Sequence, residues 1–144
     1  MGISEMKKYK IGYTQGAFDM FHIGHLNLLK NAYDQCETLI VGVNSDALVS
    51  RYKSKRTIIP EQERLEIIRA IKYVDHAMLV ETLDKSEIRE QVKFDAVFIG
   101  SDWKGSPRWE QTEKDLMQFG VDVVYLAYTQ GTNSTLLREK LDGM

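Results

Sequence analysis

Gly12-Tyr13-Thr14-Gln15-Gly16-Ala17-Phe18-Asp19-Met20-Phe21-His22-Ile23-Gly24-His25-Leu26 reads as the end of an apolar strand, a turn through a glycine, and a helix with two histidines in its first turn. His22 and His25, three residues apart, take neighbouring positions on one helix face. Gly24 between them has no side chain, so a bulky anion can come close to the backbone. The first turn of a helix also offers unpaired N–H groups and the positive end of its dipole, and both favour phosphate. Two imidazoles there can donate hydrogen bonds to an anion without supplying a nucleophile. A histidine pair at this spacing is more often surface decoration or a satisfied core group. Here strand, glycine turn, aromatic–acid pair and His-x-Gly-His follow in order, and that order reads as a nucleotide phosphate site.

Working outward, the strand feeding this turn spans Lys10–Thr14, and the helix runs from His22 to about Gln35 with Leu26, Leu29 and Tyr33 as an apolar stripe. Thr38–Val43 is a short, nearly continuous apolar run, which suits a strand buried on both faces. Asn44-Ser45-Asp46 ends it with turn and capping residues. Val49–Thr57 is the one strongly basic segment and has no apolar period, so it is expected to be a loop. Pro60 suits the first turn of a helix reaching about Lys72, with Leu65, Ile68 and Ile71 facing inward. Further strands are expected at Ala77–Val80, Ala96–Ile99 and Val121–Leu126. Further helices are expected at Ser86–Lys93, Arg108–Phe119 (closed by Gly120 in the C′ role) and Ser134–Leu141. This alternation predicts a single α/β domain: a Rossmann-like, doubly wound, five-stranded parallel sheet with helices on both faces, its core at about residues 10–141. In such sheets ligands bind beyond the carboxyl ends of the strands. The polar punctuation at Gly16–His25, Asn44–Asp46, Ser101–Trp103 and Thr129–Thr135 falls at those ends.

Composition narrows the function classes. A formal net charge of −2 gives no electrostatic case for nucleic acid. No run approaches membrane-spanning length and the first ten residues resemble no signal peptide, so no membrane partner is expected. One cysteine, Cys36, cannot form an intrachain disulfide; it suits a reducing cytoplasm and reads as a small buried apolar residue. Three histidines and one cysteine without HExxH or CxxC spacing leave no protein-held metal site to assign.

With the preceding Gly-Ala-Phe-Asp, the His22-Ile23-Gly24-His25 stretch resembles the HxGH nucleotidyltransferases, and among them the cytidylyltransferases that activate small phosphorylated alcohols. The resemblance runs from about Lys10 to Leu141 and is nearest to the glycerol-3-phosphate cytidylyltransferases. It implies that His22 and His25 are catalytic, with Lys53 and Lys55 closing over the nucleotide phosphates and Arg64 binding phosphate from early in a helix. Nucleotide contacts are implied at Ala17 (a threonine in the family, its N–H serving), Phe18, Asp19, Ile23, Gly24 and Asp102. They are implied as well along Tyr128, Thr129, Gln130, Gly131, Asn133, Ser134 and Thr135, which resembles the family's Arg-Thr-x-Gly-x-Ser-Thr-Thr element. Tyr128, Asn133 and Ser134 depart from that element, and Ser101 departs from the family's Gly-Asp-Asp-Trp, where Asp102 and Trp103 match; Asp75 matches a family aspartate. Acceptor contacts are implied at Lys53, Lys85 and Trp103. Mg²⁺ bridging the nucleotide phosphates, CTP and a small alcohol phosphate as substrates, and a homodimer complete what the resemblance implies.

The implied reaction transfers CMP from CTP to glycerol 3-phosphate, giving CDP-glycerol and pyrophosphate. The attacking phosphate oxygen is already ionised near neutral pH, so positioning and electrostatic stabilisation carry the catalysis without a general base. Rival acceptors are glycerol 2-phosphate and phosphoethanolamine. An FAD-synthetase-like adenylyltransferase is a further rival, and a non-catalytic nucleotide-binding domain is the alternative from another class.

Overall fold

A computed structural model describes residues 7–53, 55–127 and 134–143, with backbone only for 134–136. Five strands, β1 (Tyr9–Gly16), β2 (Cys36–Asn44), β3 (His76–Val80), β4 (Ala96–Gly100) and β5 (Asp122–Leu126), form one sheet in the order β3-β2-β1-β4-β5. Every pairing is parallel. Six helices connect or follow them: α1 (Ile23–Tyr33), α2 (Asp46–Lys53), α3 (Glu61–Arg69), α4 (Lys85–Gln91), α5 (Pro107–Met117) and α6 (Ser134–Asp142). A 3-10 turn at Ser101–Trp103 follows β4. The expected Rossmann-like sheet is present, with the strand order reversing beside β1.

The sheet holds together because both faces are covered. On one side Leu29 and Ala32 of α1 and Leu65 and Ile68 of α3 pack against Leu39, Val41 and Val43 of β2. On the other, Leu48, Ile88, Trp109 and Leu116 from α2, α4 and α5 pack against Tyr13 and Val97. Alternation along each strand sends successive side chains to opposite faces, and that is why β2 reads as a continuous apolar run. Gly42 carries no side chain because a Cβ there would run into the phenol oxygen of Tyr13. Cys36 is buried and free, its thiol donating to Ala32 O, and burial pushes the thiol up to about 11.

The expected loop at Val49–Thr57 is corrected in its first half. α2 extends through Lys53, because Leu48 and Val49 bury against the sheet while Arg51 reaches Glu81 O at 2.7 Å. Only two apolar residues need burial in so short a helix, and the surrounding charges masked its period. α3 stops at Arg69, capped by Ala70, short of the expected Lys72. α5 ends at Met117, and Gly120, in the left-handed region at φ 73°, lies beyond the C′ place given to it.

Candidate functional site

Parallel strands bring all their carboxyl ends to one rim. There β1 runs into a tight turn in which Phe18 and Met20 both take left-handed backbone, at φ 54° and 52°. Non-glycine residues adopt that region at a cost, and the turn is held by what it packs against. Phe18 is buried in the core. The Asp19 carboxylate, buried as well, accepts from Ile58 N at 2.8 Å, Ile59 N at 2.9 Å and Arg138 Nη2 at 2.8 Å. Asp19 thus joins the β1–α1 turn, the segment after α2, and α6.

The histidines sit on that turn, with one correction of register: His22 is the N-cap of α1, just outside the helix. Its Nδ1 accepts from Gly24 N at 3.0 Å, while His25 Nδ1 accepts from His22 N at 3.2 Å, so the pair forms a capping box of two imidazoles. The rings stack at 3.9 Å between centroids. With Nδ1 used as acceptor on each ring, a neutral imidazole carries its proton on Nε2. Burial holds the His25 ring down at about 3, helped by His22 and Lys53 and opposed by Asp19, and burial lowers His22 too. Both rings are therefore uncharged Nε2–H donors at neutral pH.

The two histidines, Lys53 and Lys55 line a single cleft of about 640 Å³, together with Gly16, Ala17, Phe18, Asp19, Gly24, Asp102 and Trp103. Lys53 is exposed, yet its ammonium lies low enough in the cleft that desolvation lowers its pKa; Arg138 and Lys55 add to this and Asp19 opposes it. Arg56 and Arg138 also line the cleft. Arg138, on α6, was missed in the sequence, because its relevance depends on α6 folding back over the β1–α1 turn. Glu139 and Asp142 of the same helix stand on the wall as well.

Three expected site residues lie elsewhere. Arg64 is 1% exposed and does not line the cleft. Its guanidinium donates to Ile59 O at 2.9 Å, Ala17 O at 2.7 Å, Asn44 O at 2.8 Å and to the Asp46 carboxylate. Burial pushes Asp46 up, but Thr57, Arg64 and the Glu61 N–H hold its carboxyl below the usual range. With its donors turned to the protein itself, Arg64 ties the rim together and stands outside the cleft in which the resemblance implied its phosphate contact. Ile23, 50% exposed, does not line the cleft. Lys85 lies under the rim on the α2/α4/α5 side, outside the cleft lining, where its ammonium donates to Leu83 O at 2.8 Å and stands 5.2 Å over the Trp109 ring.

Tyr128, Thr129, Gln130, Gly131 and Asn133 lie outside the described residues, as do the side chains of Ser134 and Thr135, the first residues of α6. Asp75 lies at the opposite end of the sheet, accepting from Leu39 N at 2.8 Å just before β3, and serves packing. No group of three or more metal-ligating side chains occurs among the described residues. Nor does any described helix have the length and apolarity to cross a membrane.

Among solved structures, the chain superimposes on the lipopolysaccharide core biosynthesis protein of Thermoplasma volcanium with a TM-score of 0.71 and 27% identity, covering 86% of this chain and 99% of that one. A pantothenate synthetase from Thermus thermophilus, at 15% identity and a TM-score of 0.60 over 85% of this chain and 57% of that one, shares the fold. The "Bifunctional protein HldE" of Nitratiruptor is 32% identical over 92% of this chain, and that of Helicobacter acinonychis 28% identical over 98%. The chain spans only 28% and 29% of the length of these two curated relatives. The cytidylyltransferase-like family model matches residues 13–140, from the strand that enters the histidine turn to the helix that closes the cleft, and the chain belongs to that family.

Proposed function

We propose that the protein transfers a nucleotidyl group, CMP from CTP, to a small alcohol phosphate, with glycerol 3-phosphate or a sugar phosphate as the acceptor. The observation that carries this reading is the single cleft shared by the His22–His25 pair and the cations of α2, its following segment and α6. The acceptor's phosphate oxygen attacks the α-phosphorus; the new P–O bond forms as the bond to the β-phosphate oxygen breaks, and pyrophosphate leaves with that electron pair. No proton has to be removed, which matches a site whose imidazoles are uncharged donors already engaged at Nδ1. His22 and His25 donate from Nε2 to oxygens of the α-phosphate as negative charge gathers there, while Lys53, Lys55 and Arg138 neutralise the departing pyrophosphate.

The carboxylates on the described cleft lining are Asp19, Asp102, Glu139 and Asp142, and no group of three or more metal-ligating side chains occurs among the described residues. Mg²⁺, as the resemblance implies it, would arrive on the triphosphate. The likeness to a lipopolysaccharide core biosynthesis protein supports a carbohydrate-like acceptor. The reading extends to a cytoplasmic homodimer, which sedimentation of the purified chain tests.

The deciding experiment measures pyrophosphate release with CTP or ATP against a panel of alcohol and sugar phosphates. Release with CTP is the expected result. Release with ATP alone would convert the reading to adenylyl transfer, and no release with any pair would leave a nucleotide-binding module.

A further inference from the structure

The first five helices each bury side chains against the sheet, whereas α6 shows no buried side chain among its described residues. Its described side chains, residues 137–142, belong to neither core, and Leu141 is 49% exposed. A helix this short draws little stability from its own hydrogen bonds, and an element with few buried apolar contacts opens readily.

Among the described residues the side-chain tie of α6 to the rest of the chain is Arg138. Its Nη2 donates to the Asp19 carboxylate at 2.8 Å and its Nη1 to Arg56 O at 3.2 Å. The guanidinium thus joins α6 to the β1–α1 turn and to the segment that carries Lys55 and Arg56. The pair is unequally exposed, the Arg138 side chain at 25% and that of Asp19 at 6%, and both residues line the cleft. A ligand in the cleft can therefore reach the cation. If the guanidinium leaves, the Asp19 carboxylate keeps the Ile58 and Ile59 N–H groups as donors and is not stranded. An ion pair with one accessible member and one separately satisfied member exchanges at low cost.

Asp19 is also an anion among cations, since Lys53, Lys55 and Arg56 line the same cleft. Its charge is felt there, raising the Lys53 pKa that Arg138 and Lys55 lower. A phosphate entering the cleft offers the guanidinium several oxygens at the geometry a fork of donors prefers. We propose that Arg138 is a latch contested by two anions: Asp19 holds it, and α6 with it, when no polyphosphate is bound, and a bound polyphosphate takes it over and draws α6 onto the ligand. Glu139 and Asp142, on the same wall of the cleft, set the sign of the response. With Arg138 engaged the helix is pulled onto the anion, and without it those carboxylates push the helix away. Asp19 is thereby a positioning residue that acts on the ligand through Arg138. The latch rests on reading the cleft as a phosphate site, and inorganic pyrophosphate tests it apart from group transfer.

The test follows hydrogen exchange along α6 in the full chain, with and without pyrophosphate. Calorimetry gives the pyrophosphate affinity of the wild type, Arg138→Gln, Asp19→Asn and the double variant. Saturating pyrophosphate should slow exchange of the wild-type α6 amides roughly threefold or more. In Arg138→Gln those amides should exchange faster than in the wild type and gain no protection from pyrophosphate. The affinity of that variant should fall roughly ten- to a hundredfold, the range of one lost charged hydrogen bond. Asp19→Asn should bind pyrophosphate more tightly than the wild type, and the gain should vanish in the double variant. Binding by Asp19→Asn that is no tighter, or a gain that survives without Arg138, overturns the contest. If Asp19→Asn does not fold, the exchange data decide: slowing that Arg138→Gln abolishes sustains the latch, and α6 exchange unmoved by bound pyrophosphate removes it. Absence of pyrophosphate binding sinks the phosphate reading of the cleft and the latch together. Binding and slowing without nucleotidyl transfer would sink the transfer reading and leave the latch standing.

Discussion

Two buried cations flank the ends of β1 and β2, and they are solved in opposite ways. Arg64, on the α3 side, meets three backbone carbonyls and the Asp46 carboxylate. Lys85, on the α4 side, meets one carbonyl and an indole face. A guanidinium presents its donors in a rigid fork and can tie several chain segments at once, whereas an ammonium is a compact charge that a ligand can still approach. The first arrangement is closed by a carboxylate, and the second has no ion pair among the described residues. A cation counted from sequence says nothing about which of these it will be; its acceptors do.

The contrast can be broken most forcefully at Arg64. Arg64→Met strands the carbonyls of Ala17, Asn44 and Ile59 and removes the partner of Asp46, and should cost about 3–5 kcal/mol in urea unfolding. Because Asp46 stays 43% exposed and can rehydrate, the lower part of that range is expected. A loss of activity with an unaltered unfolding midpoint would return Arg64 to the phosphate-binding role the sequence resemblance gave it.

His25 stands between the flanks, where both substrates would meet. His25→Ala removes a donor aimed at developing charge and should reduce kcat about 10²–10³-fold, or ~2.7–4 kcal/mol, with the fold retained. Wild-type turnover in that variant would remove the histidine pair from the mechanism. Lys85→Met should do the reverse of Arg64→Met: the urea midpoint holds or rises, since a buried charge without an ion pair among the described residues is removed, and a midpoint lowered as far as in Arg64→Met would show that the ammonium's contacts stabilise the fold.

A further effect is in pH. Burial, with Arg108 adding to it and Asp84 opposing, lowers the Lys85 ammonium from 10.5 to about 8. Between those values the unfolded chain binds more protons at this residue than the folded one, so its contribution to stability rises with pH from about 8 to 10.5. Subtracting the unfolding curve of Lys85→Met from that of the wild type should leave this upward slope. A flat difference would place the ammonium in water.

How far the site could be read in advance varied with the kind of signal each residue carries. β2 and β4 were legible because strands buried on both faces must be apolar throughout, and Thr38–Val43 and Ala96–Ile99 are. α2 was half hidden, because Arg51, Tyr52 and Lys53 follow its two buried residues and look like a basic loop. The His22–His25 pair was legible by spacing, though its capping of α1 through two Nδ1 atoms was not. Arg138 carried no local signal: it matters because Asp19, over a hundred positions earlier, accepts from it at 2.8 Å.

Periodicity and strand-end residues are properties of neighbours along the chain, and they sufficed for the α/β order, the polar rim at the carboxyl ends of the strands and the histidine turn. Whether a given cation faces a ligand or is consumed by the protein depends on acceptors delivered from other elements, and only folding brings those together. Arg64 and Lys85 look alike as basic residues near the start of helices; the carbonyls of the β1–α1 turn, β2 and the segment before α3, with the Asp46 carboxylate, make one a tie, while the other rests on the Leu83 carbonyl and the Trp109 ring with no ion pair among the described residues.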